Sequence, residues 1–403
     1  MNEKNKQNVK NDKTGKIKPS RNFCSPKNIL LSFVVLLISL VISQQFSKFE
    51  PYAYSLPPAP KFGGPLAVNH ILDNSEFLLK DQILGPESLL IEGDTIYTGT
   101  EDGTIVKIVN GKIVKTIVLS NDKRCKSKED RLKNGKLCGR PLGLRRLNKE
   151  ELITADGIQG IVKVNIEKET FEIVLPQGIL IEGKALTLAD DLDVVDENTV
   201  VFSDATTKWK EEDAMYDFLE NAPNGRAILL NIKTKETKVL FDKLFFANGV
   251  QMFPDRKSFL VAETSMARVT RYYLEGPKKD QREIFVENLP GLPDNIRLNS
   301  HGNFYIALPS IRDPEKFDLK EFLAPYPWVR RIMMQLIPIS VIEKAGISKY
   351  GLVIEVDQNG KILNSFHATN GDINFNTQAS DDENYIYLGG LRSTFIARVQ
   401  KPK

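Results

Sequence analysis

The chain has 403 residues, of which 41% are hydrophobic and 27% charged, a composition that suits a large globular domain. Its formal net charge is only +3, and residues 1–27 alone carry eight Lys or Arg against two acidic residues. The rest of the chain is therefore slightly acidic, and no nucleic-acid partner is expected because no basic groove is indicated.

Residues 28–46 (NILLSFVVLLISLVISQQF) have no charged side chain and approach the ~20 residues that a helix needs to cross a bilayer. They predict a signal-anchor transmembrane helix. A cleaved signal peptide is the alternative, but the preceding leader is long and no small-x-small cleavage site follows. The basic tail, residues 1–27, should stay cytosolic. The sequence thus predicts a type II membrane protein with a stalk at 47–65 and a lumenal or extracellular domain at 66–403.

The three cysteines fit this topology. Cys24 precedes the anchor, whereas Cys125 and Cys138 flank a polar loop in the compartment predicted to be oxidising. A disulfide between Cys125 and Cys138 is predicted, worth about 3 kcal/mol in the chain-entropy model. Two unpaired thiols are the alternative, and a metal site is disfavoured because no His lies nearby.

Beyond residue 80 a theme of four strands recurs at intervals of about 45 residues or more, which is typical of β-propeller blades. The first unit begins at Gly85 and alternates β-branched residues with Asp-Gly and Asn-Gly hairpin turns. Five more units begin near Gly139, Leu186, Phe246, Leu292 and Phe375. The predicted fold class is therefore all-β, a six-bladed β-propeller, in which residues 77–81 supply the strand missing from the last blade and close the ring.

Two insertions, near residues 208–224 and 313–349, interrupt the strand pattern and look partly helical. The second places Trp328 and other apolar residues beside Arg330 and Arg331. Three interpretations are open for it: a lid over the ring, a membrane-surface contact, or a helix packed flat on the propeller.

The innermost strand of each blade lines the central channel, so residues at the blade starts should meet there although they are far apart in sequence. Four of the six starts bear oxygen donors, namely Glu87, Asp190, Asn248 and the pair Asp294–Asn295. Carboxylates mixed with carboxamides are what Ca²⁺ prefers, and three converging carboxylates need a cation. The alternative is that these residues cap blade tops or bind ordered water in the channel.

Histidine-based catalysis in the channel is not indicated. His70 precedes the propeller, His301 falls in a hairpin turn, and His367 is expected in a turn before the last blade. A G-x-S-x-G motif is also absent from the sequence.

The motifs TGTEDGTIVK, ADGIQGIVKVN, FANGVQ, AETSMAR and PGLPDNI closely resemble those of the adipocyte plasma membrane-associated proteins, the animal branch of the strictosidine synthase-like propellers. The resemblance covers roughly residues 60–400. It implies a six-bladed propeller on a type II anchor, in the endoplasmic reticulum or at the plasma membrane. The family is similar in fold to calcium-dependent lactonases and arylesterases, and the metal positions of those hydrolases fall on Glu87, Asp190, Asn248, Asp294 and Asn295.

The sequence also departs from the patterns of its relatives. Related chains usually have Asn where Asp190 stands, which changes the charge more than the capacity to bind a metal. Residues 371–380 lack the Glu that plant strictosidine synthases use for condensation, and the channel His pair of paraoxonase-type lactonases is absent.

These features predict a membrane-anchored, calcium-dependent hydrolase of small hydrophobic esters or lactones, with arylesterase-like activity and Asp294 as base or nucleophile. A non-catalytic propeller that binds partners around a structural ion is the alternative. A strictosidine synthase-like condensing enzyme is third, and the sequence does not identify protein partners.

Overall fold

The structure is a computed structural model that describes residues 26–45, 47–345 and 348–402. Residues 1–48 and 49–403 form two compact units. In the first unit, α1 spans Pro26–Gln45, and its side chains from Pro26 to Val35 are exposed. None of the helices in the described ranges is both long enough and apolar enough for a membrane span. The transmembrane helix expected at 28–46 thus stays a prediction, and the basic tail up to residue 25 lies outside the described residues.

The second unit is a propeller of six four-stranded antiparallel sheets, counted over the described residues. The strand nearest the start of the chain is β1 (Glu76–Leu78). Blade one contains β2 (Leu89–Glu92), β3 (Thr95–Gly99), β4 (Thr104–Val109) and β5 (Lys112–Val118). Blade two contains β6 (Pro141–Arg146), β7 (Glu151–Asp156), β8 (Gly160–Asn165) and β9 (Thr170–Pro176).

The next two blades continue this order. A short ribbon of β10 (Leu180–Ile181) and β11 (Lys184–Ala185) precedes blade three. Blade three contains β12 (Ala189–Asp196), β13 (Thr199–Asp204), β14 (Gly225–Asn231) and β15 (Thr237–Leu244). Blade four contains β16 (Ala247–Met252), β17 (Ser258–Glu263), β18 (Arg268–Tyr273) and β19 (Arg282–Val286).

The last two blades complete the ring. A second ribbon pairs β20 (Gly291–Leu292) with β23 (Ser310–Ile311). Blade five contains β21 (Ile296–Leu298), β22 (Phe304–Ala307), β24 (Gly351–Val356) and β25 (Ile362–Ala368). Blade six contains β26 (Gln378–Asp381), β27 (Tyr385–Gly389) and β28 (Ile396–Gln400), and β1 is its fourth strand because Phe77 pairs with Ala397. The six-bladed architecture and the closing strand near residue 77 are therefore confirmed.

Local sequence accounts for the strand connections and for the core. Between β4 and β5, Asn110 and Gly111 both have positive φ, as a tight Asn-Gly hairpin requires. The core lies between blades: Ile153 and Ile161 of blade two pack in one buried cluster with Leu192 and Phe202 of blade three. Because the middle strands of the blades are covered on both faces, strands such as β17 (Ser258–Glu263) are nearly continuous in buried residues.

The loop between blades one and two is closed by the predicted disulfide. Cys125 and Cys138 are bonded, with their Cα atoms 5.6 Å apart. The loop contains α2 (Lys128–Lys133) and α3 (Gly135–Cys138). Arg131 of α2 forms a buried ion pair with Asp102, at 2.7 Å between Nη2 and Oδ2, which fixes the loop against blade one.

Both insertions join the second strand of a blade to the third. In blade three the connection holds α4 (Ala214–Glu220), and in blade five it holds α5 (Leu319–Leu323), α6 (Pro327–Leu336) and α7 (Ile339–Ala345). The described part of the chain also has five single-turn 3₁₀ helices, at Gly64–Leu66, Leu72–Asn74, Lys123–Cys125, Glu211–Asp213 and Thr264–Met266. Since Ala189 pairs with Asp204, the first insertion leaves its blade at the end of the channel where the innermost strand begins. The Ala307 amide likewise donates to the Asn295 carbonyl, which places the second insertion at this same end, called the site end below.

Candidate functional site

The five predicted metal-binding residues all lie at or next to the start of an innermost strand and are buried. Glu87 precedes β2, Asp190 and Asn248 are the second residues of β12 and β16, and Asp294 and Asn295 precede β21. The Asn295 amide donates to Glu87 Oε1 at 2.5 Å, so residues 208 positions apart in the chain are in direct contact. The blade starts do meet in the channel.

Three oxygen atoms of this group have no hydrogen-bond partner within the described residues. They are Glu87 Oε2, Asn248 Oδ1 and Asn295 Oδ1, and each is shielded from solvent. A buried oxygen without a partner costs about 1–3 kcal/mol. Three such atoms on three different blades therefore indicate a ligand that accepts electron pairs from oxygen.

The carboxylates of the site repel one another. The pKa of Glu87 is raised to about 7, mainly by burial and then by the charge of Asp191. The pKa values of Asp190 and Asp294 are both raised well above their usual range, mainly by burial and then by the charge of Glu87. Within the described residues none of these three carboxylates forms a salt bridge. A cation bound here would offset this repulsion.

The donor set fits a hard cation of the calcium type, provided that the carboxamides take part. Counting His, Cys, Asp and Glu alone, the described residues contain no group of three or more that could hold a metal ion. Asn248 and Asn295 add neutral oxygens, and mixed carboxylate and carboxamide donors are what Ca²⁺ binds. Glu87, Asp190, Asn248, Asp294 and Asn295 are therefore the residues that would hold it.

Next to the site lies an ion-pair layer formed by Arg145, Asp191, Asp193 and Arg297. Arg297 donates to Asp191 Oδ2 at 2.7 Å, and Arg145 lies 3.5 Å from Asp191 Oδ1 and 3.4 Å from Asp193 Oδ1. Its two cations equal its two anions in number, so the layer adds no net positive charge, although the charge of Arg297 opposes the raised pKa values of Glu87 and Asp190.

Sequence reasoning missed the ion-pair layer, although the alternation of strand side chains offered a signal. Residues two positions apart point to the same face of a strand, so Arg297 shares the channel face with Asn295, and Asp193 shares a face with Asp191. The second blade, which has no carboxylate at its start, contributes Arg145 instead.

Gly249 explains why the motif FANG is not a turn. It lies inside β16, and a Cβ on it would come within 2.4 Å of the Asp294 carbonyl oxygen. Only glycine permits this approach of two blade backbones, which brings Asn248 and Asp294 to the same side of the channel.

Apolar side chains surround the residues that precede the site. Leu142, Leu188 and Phe246 are buried in one cluster, and Phe218 of α4 stacks on Phe246 with ring centroids 4.0 Å apart. Arg140, whose charge lowers the pKa of Glu87, lines a surface cavity of about 410 Å³. The first insertion thus packs Phe218 against the apolar cluster next to the site.

The histidines lie away from the candidate site. His367 was expected in a turn, but it lies in β25, the outermost strand of blade five, because its ring is buried between Tyr350 and Ser365. Burial lowers its pKa to about 4.

The segment 371–380, which lacks a Glu, contains Gln378 at the contact with blade one. Gln378 accepts a hydrogen bond from Ser88 and donates one to the Leu89 carbonyl.

Comparison with known proteins identifies the family. The adipocyte plasma membrane-associated protein of Rattus norvegicus is 36% identical over 377 residues, covering 92% of this chain and 99% of that protein. The chain belongs to the adipocyte plasma membrane-associated protein family. Family models described as "Strictosidine synthase" and "Strictosidine synthase-like, N-terminal" match residues 190–277 and 64–108.

Solved structures share the fold of this family member at low sequence identity. A gluconolactonase from Xanthomonas campestris is 14% identical, with a TM-score of 0.52 over 87% of this chain and 99% of its own. A calcium-binding protein, regucalcin from Agrobacterium tumefaciens, is 10% identical, with a TM-score of 0.50 over 80% of this chain and 92% of its own. These similarities establish the propeller fold.

Proposed function

We propose that this protein is a metal-dependent hydrolase of carboxylic esters or lactones, with its active site at the site end of the channel. The observation that supports the proposal most strongly is the set of three buried, unpartnered oxygens beside three carboxylates that lack a salt bridge. The structural neighbours named gluconolactonase and regucalcin are consistent with a lactonase-type reaction and with calcium.

In this proposal Glu87, Asp190, Asn248, Asp294 and Asn295 would hold the cation. When bound, Ca²⁺ supplies a Lewis acid that polarises the substrate carbonyl and stabilises negative charge on its oxygen. Asp294 acts as the general base: it accepts the proton of a water whose oxygen attacks the carbonyl carbon. The bond to the alcohol oxygen then breaks, and the alcohol leaves with a proton.

The apolar surroundings of the site suggest the substrate class. The side chains next to the site exclude water, and they include Leu188, Phe218 and Phe246. A substrate that carries aryl or alkyl groups is therefore favoured. We therefore propose a small hydrophobic ester or lactone, of which aryl esters are the simplest examples.

Membrane anchoring is part of the same proposal. The segment 28–46 is uncharged, and the relatives are named plasma membrane-associated. In this proposal the propeller lies on the lumenal or extracellular side, in the endoplasmic reticulum or at the plasma membrane.

Hydrolysis of phenyl acetate and of a δ-lactone by the purified full-length chain tests the proposal. We expect activity that EDTA removes and Ca²⁺ restores, and a loss of 100-fold or more in kcat for Asp294→Asn, in the range of the 10²–10⁴-fold typical of a general base. Glu87→Gln should instead raise the Ca²⁺ concentration needed for half-maximal activity. Asp94→Asn, at an exposed turn of blade one, is the matched control and should match the wild type.

The outcomes separate this proposal from a structural ion. If neither substrate is hydrolysed but EDTA lowers the melting temperature, the ion is structural and the hydrolase proposal fails. Activity that is unchanged by both EDTA and Asp294→Asn would show that hydrolysis takes place elsewhere.

A further inference from the structure

The second insertion exposes an unusual amount of apolar surface. Over the described part of blade five, seven large apolar residues within 25 positions are 46–73% exposed. We call them the apolar patch: Phe317, Leu319, Phe322, Tyr326, Trp328, Leu336 and Val341. Soluble monomers rarely keep such a cluster in water, and it therefore marks an interaction surface.

The apolar patch rests on a well-packed base. Arg312 forms an ion pair with Glu321 at 2.5 Å, which holds α5 on the propeller. Arg330 of α6 donates to the carbonyl of Leu219 at the end of α4, and the rings of Phe317 and Phe322 lie 5.3 Å apart between centroids. Leu319, Phe322, Trp328 and Leu336 thus project from helices α5 and α6, which these contacts hold on the propeller.

The same base holds the stalk. Arg330 also donates to the Tyr52 carbonyl, and Arg331 donates to the Phe49 carbonyl at 3.3 Å. Phe49 comes only three residues after Phe46, the last residue of the uncharged segment. Three residues reach about 10 Å at most, so a bilayer that holds the segment 28–46 comes within that reach of Phe49.

We propose that the apolar patch lies in the interfacial region of the lipid bilayer to which the chain is anchored. The proposal rests on the membrane anchoring described above and is independent of the hydrolase chemistry. Trp, Tyr and Phe are the residues that favour the bilayer interface. Residues 313–345 hold five acidic and five basic side chains, so the contact is with neutral lipid and does not depend on salt.

This contact has a consequence for substrate access. The second insertion leaves blade five at the site end, where the Ala307 amide meets the Asn295 carbonyl. A bilayer under the apolar patch therefore lies at the end of the propeller where the candidate site lies. Hydrophobic substrates would reach the site from the membrane rather than from water.

The two tryptophans of the chain make the proposal measurable. Trp328 in the apolar patch is 64% exposed, whereas Trp209 is 6% exposed. The full-length protein is reconstituted in phosphatidylcholine vesicles with and without brominated phosphatidylcholine, which quenches only tryptophans that enter the lipid. We expect at least twofold quenching of Trp328 in the Trp209→Phe variant and little quenching of Trp209 in the Trp328→Phe variant.

The Trp209→Phe variant loses a hydrogen bond, because Trp209 Nε1 donates to the buried Glu220 at 2.9 Å. A second comparison therefore avoids this variant. The difference between wild type and Trp328→Phe reports on Trp328 while Trp209 stays in place. Phe317→Ser combined with Phe322→Ser should reduce the quenching, whereas Ile113→Ser combined with Val114→Ser, at exposed positions of β5, should not. Adding 0.5 M NaCl should change nothing.

Three results would overturn the proposal. The first is that iodide in the aqueous phase quenches the fluorescence of Trp328 equally in the vesicle-bound protein and in the protein without lipid. This result would place the apolar patch in water. Cross-linking of two chains through a Trp328→Cys variant would assign the patch to a second copy. Failure of the chain to associate with vesicles would overturn the anchoring as well, without bearing on hydrolysis.

Discussion

At the scale of single residues, Arg297 shows how the channel tolerates charge without solvent. It is buried, donates to Asp191 at 2.7 Å and to the Ser88 hydroxyl at 3.0 Å, and belongs to the ion-pair layer. Asp191 Oδ2 also accepts from the Val250 amide at 2.7 Å. One carboxylate thus joins blades three, four and five.

The Arg297→Met variant should lose much of the stability of the propeller. Removing one partner of a buried pair costs roughly 3–5 kcal/mol, because it leaves the other charge buried and unpaired. Urea unfolding measures the loss. The matched control is Arg398→Met, which breaks a partly exposed pair with Glu76 and should cost at most about 1 kcal/mol.

A double variant tests this explanation. Arg297→Met with Asp191→Asn removes both charges, so it should recover part of the stability lost in Arg297→Met. If the loss of unfolding free energy in the double variant equals the sum of the losses in the two single variants, the broken ion pair does not explain the instability of Arg297→Met.

The candidate site could be predicted from the sequence only in part. Glu87, Asp190, Asn248, Asp294 and Asn295 were found because they recur at equivalent positions of the repeat. The same pattern does not reveal that Arg297 balances Asp191 rather than the site carboxylates. That depends on which side chains face each other across the channel, and the spacing of residues within one strand does not contain this information.

At the scale of elements, the first insertion depends on acidic side chains that point inward. Asp217 and Glu220 of α4 are both buried, since residues three apart share one face of a helix. Glu220 accepts from the Trp209 indole and from Lys208, at 2.9 and 2.7 Å. Asp217 accepts from Asn224 at 3.1 Å.

Asp217 should make the stability of the protein depend on pH. Burial raises its pKa from 3.8 to about 7, and hydrogen bonds from Thr206 and Asn224 oppose the shift. Between these values the unfolded chain binds fewer protons than the folded one, so stability falls as the pH rises from about 4 to 7. Three pKa units correspond to about 4 kcal/mol, an upper limit for this one group.

Asp217→Asn should remove that slope. We expect the variant to be more stable than the wild type at pH 8 and no more stable at pH 4, as judged from urea midpoints. Asp242→Asn, at an exposed position of β15, should follow the wild-type curve. Parallel curves for Asp217→Asn and the wild type would show that Asp217 does not take up a proton on folding.

The two insertions mark the limit of prediction at this scale. Their existence follows from the interruption of the strand pattern, and the sequence left open whether the second is a lid, a membrane contact or a helix packed flat. The positions of α4 and α6 depend on long-range contacts, such as that between Arg330 and the Leu219 carbonyl. Local periodicity does not encode contacts over 111 residues.

At the scale of the whole molecule, the propeller could be predicted because each blade repeats the same local information. Apolar alternation and Asn-Gly or Asp-Gly turns specify one meander at a time, as in β4 and β5. Closure is the one step that needs the two ends of the domain together. It joins β1 to β28, where Glu76, Phe77 and Leu78 pair with Arg398, Ala397 and Ile396.

Deleting residues 396–403 should therefore disrupt the whole ring rather than one blade. The deletion removes β28, which lies between β1 and β27, and leaves two open sheet edges, which favour association between chains. We expect loss of a single cooperative unfolding transition and formation of oligomers in size-exclusion chromatography. Deleting only residues 402–403, beyond β28, should leave both properties unchanged. A monomer with an unaltered melting temperature after the longer deletion would mean that the ring is stable without its closing pair of strands.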